Sequence, residues 1–376
     1  MAFDRNGPTR RALVWRLVIA VALGVCLIWI AGMVVWRAHP LVANRFHLLL
    51  GSVPLVALVA AAAARSSSTV SDRRQYLRFF RGLQTDPETT LDTFDYEPLF
   101  GHVLWALGRV FPTTEVVLFA GVSLILAVCL FVANGRLMPS WAVTPAFLTL
   151  VASGWFSAYT GVAVRQGLAF GVLLVAVSLA LSGYRPRWVT GVLLVAAPLF
   201  HWTALYGSVV VVVVAAGLRL LTLRVAVAGW IVLALLFVTG TQRQILGPVA
   251  GAVPAIESYS SSAALENYGS GGNRLPFLLV SGAILGLVLL LRTLSDQDAV
   301  TDRLIVIYVL WNYLFLLLGF VAFSDRLAAY SWMLAPTLLW RLLGRARPHS
   351  HWPLIALVSV VLLGFVTGVW GRIAAL

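Results

Sequence analysis

Run after run of about 20 apolar residues, separated by short polar breaks, fills this chain from end to end. A helix of that length satisfies its own backbone hydrogen bonds and reaches across a hydrocarbon core of roughly 30 Å, so the solvent for this sequence is the bilayer. Candidate spans fall near residues 16–36, 46–64, 115–133, 142–158, 166–182, 188–200, 202–217, 225–240, 275–292, 304–322, 327–343 and 352–370, which makes an all-α polytopic membrane protein of about twelve helices. The two spans flanking His201 are short, and a tight hairpin or a pair of half-helices bent at Pro198 is expected there. With 60% hydrophobic and only 11% charged residues, the chain is not a soluble enzyme.

The formal net charge of +13 would suggest nucleic acid in a soluble protein. Here all the basic residues are arginines, and they sit mostly between apolar runs, where they set topology and meet lipid headgroups; no nucleic-acid role follows. Cys26 and Cys129 both lie inside apolar runs and read as small buried hydrophobes, with neither a disulfide nor a metal site. Arg5, Arg10, Arg11 and Arg16 precede an apolar run that is too long for a signal peptide and lacks a small-residue cleavage site, so a retained first helix is expected.

The positive-inside rule orients the set. The breaks holding Arg136, Arg185 with Arg187, Arg219 with Arg224, Arg292 with Arg303, and Arg345 with Arg347 fall on one side if His201 marks a turn, and that side is expected to be cytoplasmic. The opposite side receives 65–114, the break from Tyr159 to Arg165, the turn at His201, the segment 241–274 and Ser324-Asp325-Arg326. Helix parity then places the N-terminus outside, against the preference of its four arginines.

The whole of 1–376 reads as one polytopic membrane domain with two outer segments. In 65–114, Asp72, Tyr76 and Phe80 share one helical face while Arg74, Arg78 and Arg81 lie elsewhere, which predicts an interfacial amphipathic helix. The segment 241–274, with its Ser260–Ser262 and Gly269–Gly272 stretches, Tyr259 and Tyr268, reads as a flexible loop over a site or as a plain linker. Charged groups at the ends of membrane helices usually face a cavity or a partner, and Asp72, Glu97, Arg165, His201 and Arg326 all fall on the outer side. Each has a structural counterpart: headgroup snorkelling or an ion pair for the arginines, helix caps for Asp72 and Glu97, and a satisfied core histidine for His201.

The pattern Asp72-x-x-x-Tyr76-x-x-x-Phe80, then Glu97-Pro98-Leu99-Phe100, Arg165-Gln166-Gly167-Leu168-Ala169 and Phe200-His201-Trp202-Thr203-Ala204, resembles the EpsG family of Wzy-type O-antigen, capsule and exopolysaccharide polymerases. Arg326-x-x-x-Tyr330 is similar to the family's later arginine–tyrosine element, whereas Thr203 stands where the family more often has serine. The resemblance implies a GT-C-like fold in a bacterial cytoplasmic membrane with its active face outside. It also implies a metal-independent, cofactor-free glycosyltransferase that moves a growing glycan from undecaprenyl pyrophosphate onto a newly flipped lipid-linked repeat unit. Its partners would be that lipid-linked glycan, membrane lipids and a protein that regulates chain length.

The reaction so implied fits these residue types. A diphosphate leaving group develops charge that a planar guanidinium stabilises, which makes Arg165 and Arg326 the candidates. The acceptor hydroxyl needs a base, for which His201 has a suitable ordinary pKa and an outer-face carboxylate competes. Asp72 and Glu97 are expected to bind sugar hydroxyls or act as that base. Gln166, Tyr76, Tyr259 and Tyr330 are expected to bind substrate. Two rivals remain at this stage: a GT-C transferase using a polyprenyl-phosphate monosaccharide, with Asp72 as its carboxylate, and a lipid-linked oligosaccharide flippase.

Overall fold

Aromatic residues at helical spacing among arginines make the first described element amphipathic. The computed structural model describes residues 71–183, 186–218, 221–252 and 273–345. Helix α1 (Ser71–Thr85) turns Tyr76, Phe79, Phe80 and Leu83 inward and leaves Arg74, Arg78 and Arg81 exposed, as its periodicity predicts. Helix α2 (Pro87–Phe94) begins at Asp86, whose carboxylate accepts from Thr89 N, with Pro87 pre-set in the first turn. Helix α3 (Pro98–Val110) follows after Tyr96 and Glu97. Tyr76, Phe79, Phe94, Tyr96 and Phe100 lock the three together with ring centroids 4.8 to 5.9 Å apart.

Below this layer lie the apolar helices. α4 (Glu115–Leu137), α7 (Val164–Leu181), α12 (Leu275–Leu294) and α13 (Ala299–Leu318) are each long and apolar enough to cross a membrane. Two bent pairs pass the same test if each is one span: α5 (Ser140–Ala152) with α6 (Trp155–Gly161), bent by 66°, and α10 (Leu223–Thr239) with α11 (Thr241–Ala252), bent by 88°. The chain is therefore an all-helical, multi-pass membrane protein with four to six candidate spans among the described residues. Nine of the twelve predicted spans fall on these residues: four are the long helices, two (142–158 and 225–240) belong to the bent pairs, and three are not candidate spans. The run 142–158 breaks at Gly154, which adopts φ 78°. α8 (Arg187–Phe200) and α9 (Ala204–Ala215) are too short. α14 (Ser324–Gly344) carries Asp325, Arg326 and Arg341 and is not among the helices apolar enough to cross; α4, α5, α7, α12 and α13 pack around it, and its residues from Ala328 to Leu343 are buried. The predicted spans at 16–36, 46–64 and 352–370 lie outside the described residues, as does Cys26, while Cys129 is a free, half-buried thiol of α4.

Polar bonds join the bundle where apolar packing against lipid gives no preference for one neighbour over another. Asn312 donates to Ser281 Oγ (2.9 Å) and Ser331 Oγ (3.0 Å) and accepts from Trp230 Nε1 (2.8 Å), linking α10, α12, α13 and α14. Trp340 Nε1 donates to Thr149 Oγ1 (2.8 Å), and Thr337 Oγ1 to Asn134 Oδ1 (2.9 Å). The predicted outer loop is in part a helix: residues 241–252 form α11, whose Leu246 packs on Phe320 and Val321 beside the start of α14. The rest of that segment, with Tyr259, lies outside the described residues.

Candidate functional site

Pro98 fixes the start of α3 and biases the residue before it towards an extended conformation, and Glu97 has φ −57° and ψ 141°. In that conformation its side chain makes no cap bond to its own helix and reaches across to the bundle instead. Glu97 Oε2 accepts from Arg165 Nη1 at the start of α7. Glu97 Oε1 faces His201 Nδ1 at 2.8 Å and accepts from the Trp202 backbone N–H at 3.2 Å, in the turn between α8 and α9. Three segments separated by 68 and 104 residues thus meet on one carboxylate. Its helix-cap alternative does not hold in the structure.

Electrostatics make that carboxylate a fixed anion. Burial alone would raise its pKa, but the hydrogen bond from His201 and the charge of Arg165 outweigh it and hold Glu97 at about 2. A group so acidic is a poor proton acceptor near neutrality, so the carboxylate suits an orienting role better than a basic one. Because Glu97 can only accept, the His201 ring presents Nδ1–H to it, which leaves Nε2 with its lone pair. Burial pushes the His201 pKa down, with Glu97 opposing, so the neutral ring is favoured.

The second pair lies alongside. Arg326 Nη2 is 3.5 Å from Asp72 Oδ2, and its guanidinium lies 4.2 Å over the Phe323 ring. Both side chains are about a third exposed, against 14% for Glu97 and 10% for His201. Gln166 ties the two pairs together, because its Nε2 donates to the Arg326 carbonyl at 2.5 Å while its Oε1 is buried with no protein partner. Gly167 lets α6 pack closely on the start of α7: a Cβ there would run into the Tyr159 carbonyl of α6.

The structure brings together Asp72, Tyr76, Glu97, Arg165, Gln166, His201 and Arg326, and sets Tyr330 just beneath them. Tyr76 and Tyr330 are 7% and 3% exposed, with their rings packed against other aromatics, so neither offers a face for stacking on a sugar. Tyr76 sets its hydroxyl against Arg165, and Tyr330 shares a 3.1 Å hydrogen bond with Thr203 Oγ1. That bond explains how threonine serves at position 203, since it needs only a hydroxyl. Sequence reasoning missed Tyr96, whose ring lies 4.4 Å from the Arg165 guanidinium carbon. Its place directly before Glu97-Pro98 was the available signal. Among the described residues, no group of three or more His, Cys, Asp and Glu is arranged to hold a metal.

A family model, that of the EpsG family, matches residues 48–372, which takes in every element of this site. No curated protein and no solved structure matches the chain.

Proposed function

Since the chain belongs to the EpsG family, a family of Wzy-type polysaccharide polymerase-like membrane proteins, we propose that it joins undecaprenyl-pyrophosphate-linked repeat units on the outer face of the cytoplasmic membrane. The observation that carries the residue assignment is the meeting of Arg165, His201 and the Trp202 amide on Glu97, with the Arg326–Asp72 pair beside it.

In this reading His201 Nε2 takes the proton of the acceptor sugar hydroxyl, as Glu97 holds the ring in the tautomer that leaves Nε2 unprotonated. The acceptor oxygen bonds to the donor anomeric carbon, and the bond from that carbon to the diphosphate breaks. Undecaprenyl pyrophosphate departs with the electron pair. Arg165 and Arg326 stabilise the charge that gathers on the diphosphate oxygens. The two pairs differ in a way that suits this work. Glu97 is held by buried bonds and stays on Arg165, whereas Asp72 sits at the outer limit of a hydrogen bond, partly in water, and yields Arg326 to a phosphate readily. Gln166 holds the Arg326 backbone carbonyl, and Tyr96 lies against the Arg165 guanidinium.

The test is reconstitution. Purified protein in liposomes, given lipid-linked repeat units, is expected to release one undecaprenyl pyrophosphate per linkage and to build products several repeats long. Transfer of a single sugar from a polyprenyl-phosphate donor, or lipid flipping without new linkages, would overturn the proposal.

A further inference from the structure

About the length of one membrane helix from Arg326, at the other end of α14, a cavity of about 310 Å³ opens between the ends of four helices. Arg136 and Met138 line it from the end of α4, Ser182 from the end of α7, Val300 from the start of α13, and Arg341 and Arg345 from the end of α14. Three arginines therefore face one space. Asp298 caps α13 through Val300 N (2.9 Å) and Thr301 N (3.1 Å) and pairs with Arg341 Nη2 at 2.8 Å and Arg345 Nε at 2.9 Å, and the Asp296 backbone N–H donates to the Arg345 carbonyl at 3.0 Å.

The pairing also orients the donors. Arg341 is 7% exposed and uses Nε on Thr301 Oγ1 and Nη2 on Asp298, which fixes its planar fork and leaves Nη1 over. Arg345 meets Asp298 through Nε, which leaves its two terminal nitrogens over. A fixed guanidinium fork with unused N–H groups, a second one partly exposed and a third across the gap suit phosphate oxygens. The apolar rim at Met138 and Val300, set at the ends of helices that cross the bilayer, suits the glycerol and upper acyl carbons of a lipid better than a free ion. Arginines that served only to fix topology would need no shared cavity and no common anchor.

We propose that this cavity is a binding site for the phosphodiester headgroup of an anionic phospholipid in the leaflet at the basic end of the bundle. The site is independent of the polymerase reading, as it shares no residue with the Glu97 cluster. The test is native mass spectrometry of the full-length protein released from micelles doped with equal phosphatidylglycerol and phosphatidylcholine. Wild type is expected to retain phosphatidylglycerol about tenfold better, and Arg136→Gln and Arg345→Gln are expected to lower that preference about fivefold each. Both variants leave the Arg341–Asp298–Thr301 anchor intact, and each is measured singly, so loss of one protein does not end the test. Equal retention of the two lipids, or an unchanged preference in both variants, overturns the proposal. A parallel arm adds inorganic phosphate without lipid: saturation at low millimolar phosphate with no preference between lipids would identify a free-phosphate site and also overturn it.

Discussion

Replacing Glu97 with Gln keeps the shape of the site and removes its charge. Two effects follow from the geometry. The amide has one oxygen, so it can face His201 Nδ1–H or Arg165 Nη1, and whichever it leaves meets an N–H donor instead. Arg165 also becomes a largely buried cation without its anion. Holding a carboxylate at about 2 rather than its ordinary 4.5 corresponds to roughly 3 kcal/mol favouring the folded, charged form, at about 1.4 kcal/mol for each pH unit. The sign is that of a depressed acid: the contribution is full above about 4.5 and disappears as pH falls towards about 2. At pH 7 the variant should therefore lose about 3 kcal/mol, read as a lower thermal midpoint in detergent. Its deficit should shrink below pH 4 as the wild type is protonated. Polymerisation should fall by on the order of 10²-fold or more, since both the histidine and the phosphate-facing arginine lose their orientation. A variant with wild-type melting and turnover at pH 7 would refute the role given to Glu97.

Other outcomes follow from the same site. Because His201 acts as its neutral form and burial lowers its pKa, the acid limb of the wild-type rate profile should fall below the ordinary histidine value of about 6.5; initial rates against pH check this, and a limb well above that value counts against His201 as the base. Arg165→Lys should keep the ion pair yet lose most product length, because an ammonium lacks the planar fork; glycan size by gel reads this out. Thr203→Ser should be near neutral, whereas Thr203→Val should cost about 1–3 kcal/mol by stranding the buried Tyr330 hydroxyl, measured by thermal unfolding. Gly167→Ala should prevent close packing of α6 on α7 and lower the yield of folded protein, measured by size-exclusion of solubilised membranes.

The membrane-embedded, all-helical character was legible from hydropathy, because lipid imposes the same demand on every span. The number of spans was not. The run 327–343 reads as one more apolar span, yet α14 as a whole carries Asp325, Arg326 and Arg341 and is less apolar than the four long helices. The bend at Gly154 and the shortness of α8 and α9 likewise follow from backbone conformation, which a sliding average does not register. The convergence of Glu97, Arg165, His201 and Arg326 was legible from loop parity and motif order, since each stands next to a helix boundary. Their division of labour was not, because it depends on which oxygen faces which nitrogen. Tyr76 was expected to stack on or hydrogen-bond a sugar and Tyr330 to bind substrate; in the structure both rings are buried among other aromatics. Tyr96 was overlooked because its place before Glu97-Pro98, the one signal it carries, does not reveal the Arg165 guanidinium beside its ring.

The most direct measurement of the central claim is the product ladder made from purified lipid-linked repeat units by wild-type, His201→Gln and Arg165→Ala proteins in the same liposomes. The account predicts long ladders for wild type and no extension by either variant, with all three proteins inserted and monodisperse. Ladders of equal length from the two variants and the wild type would contradict it.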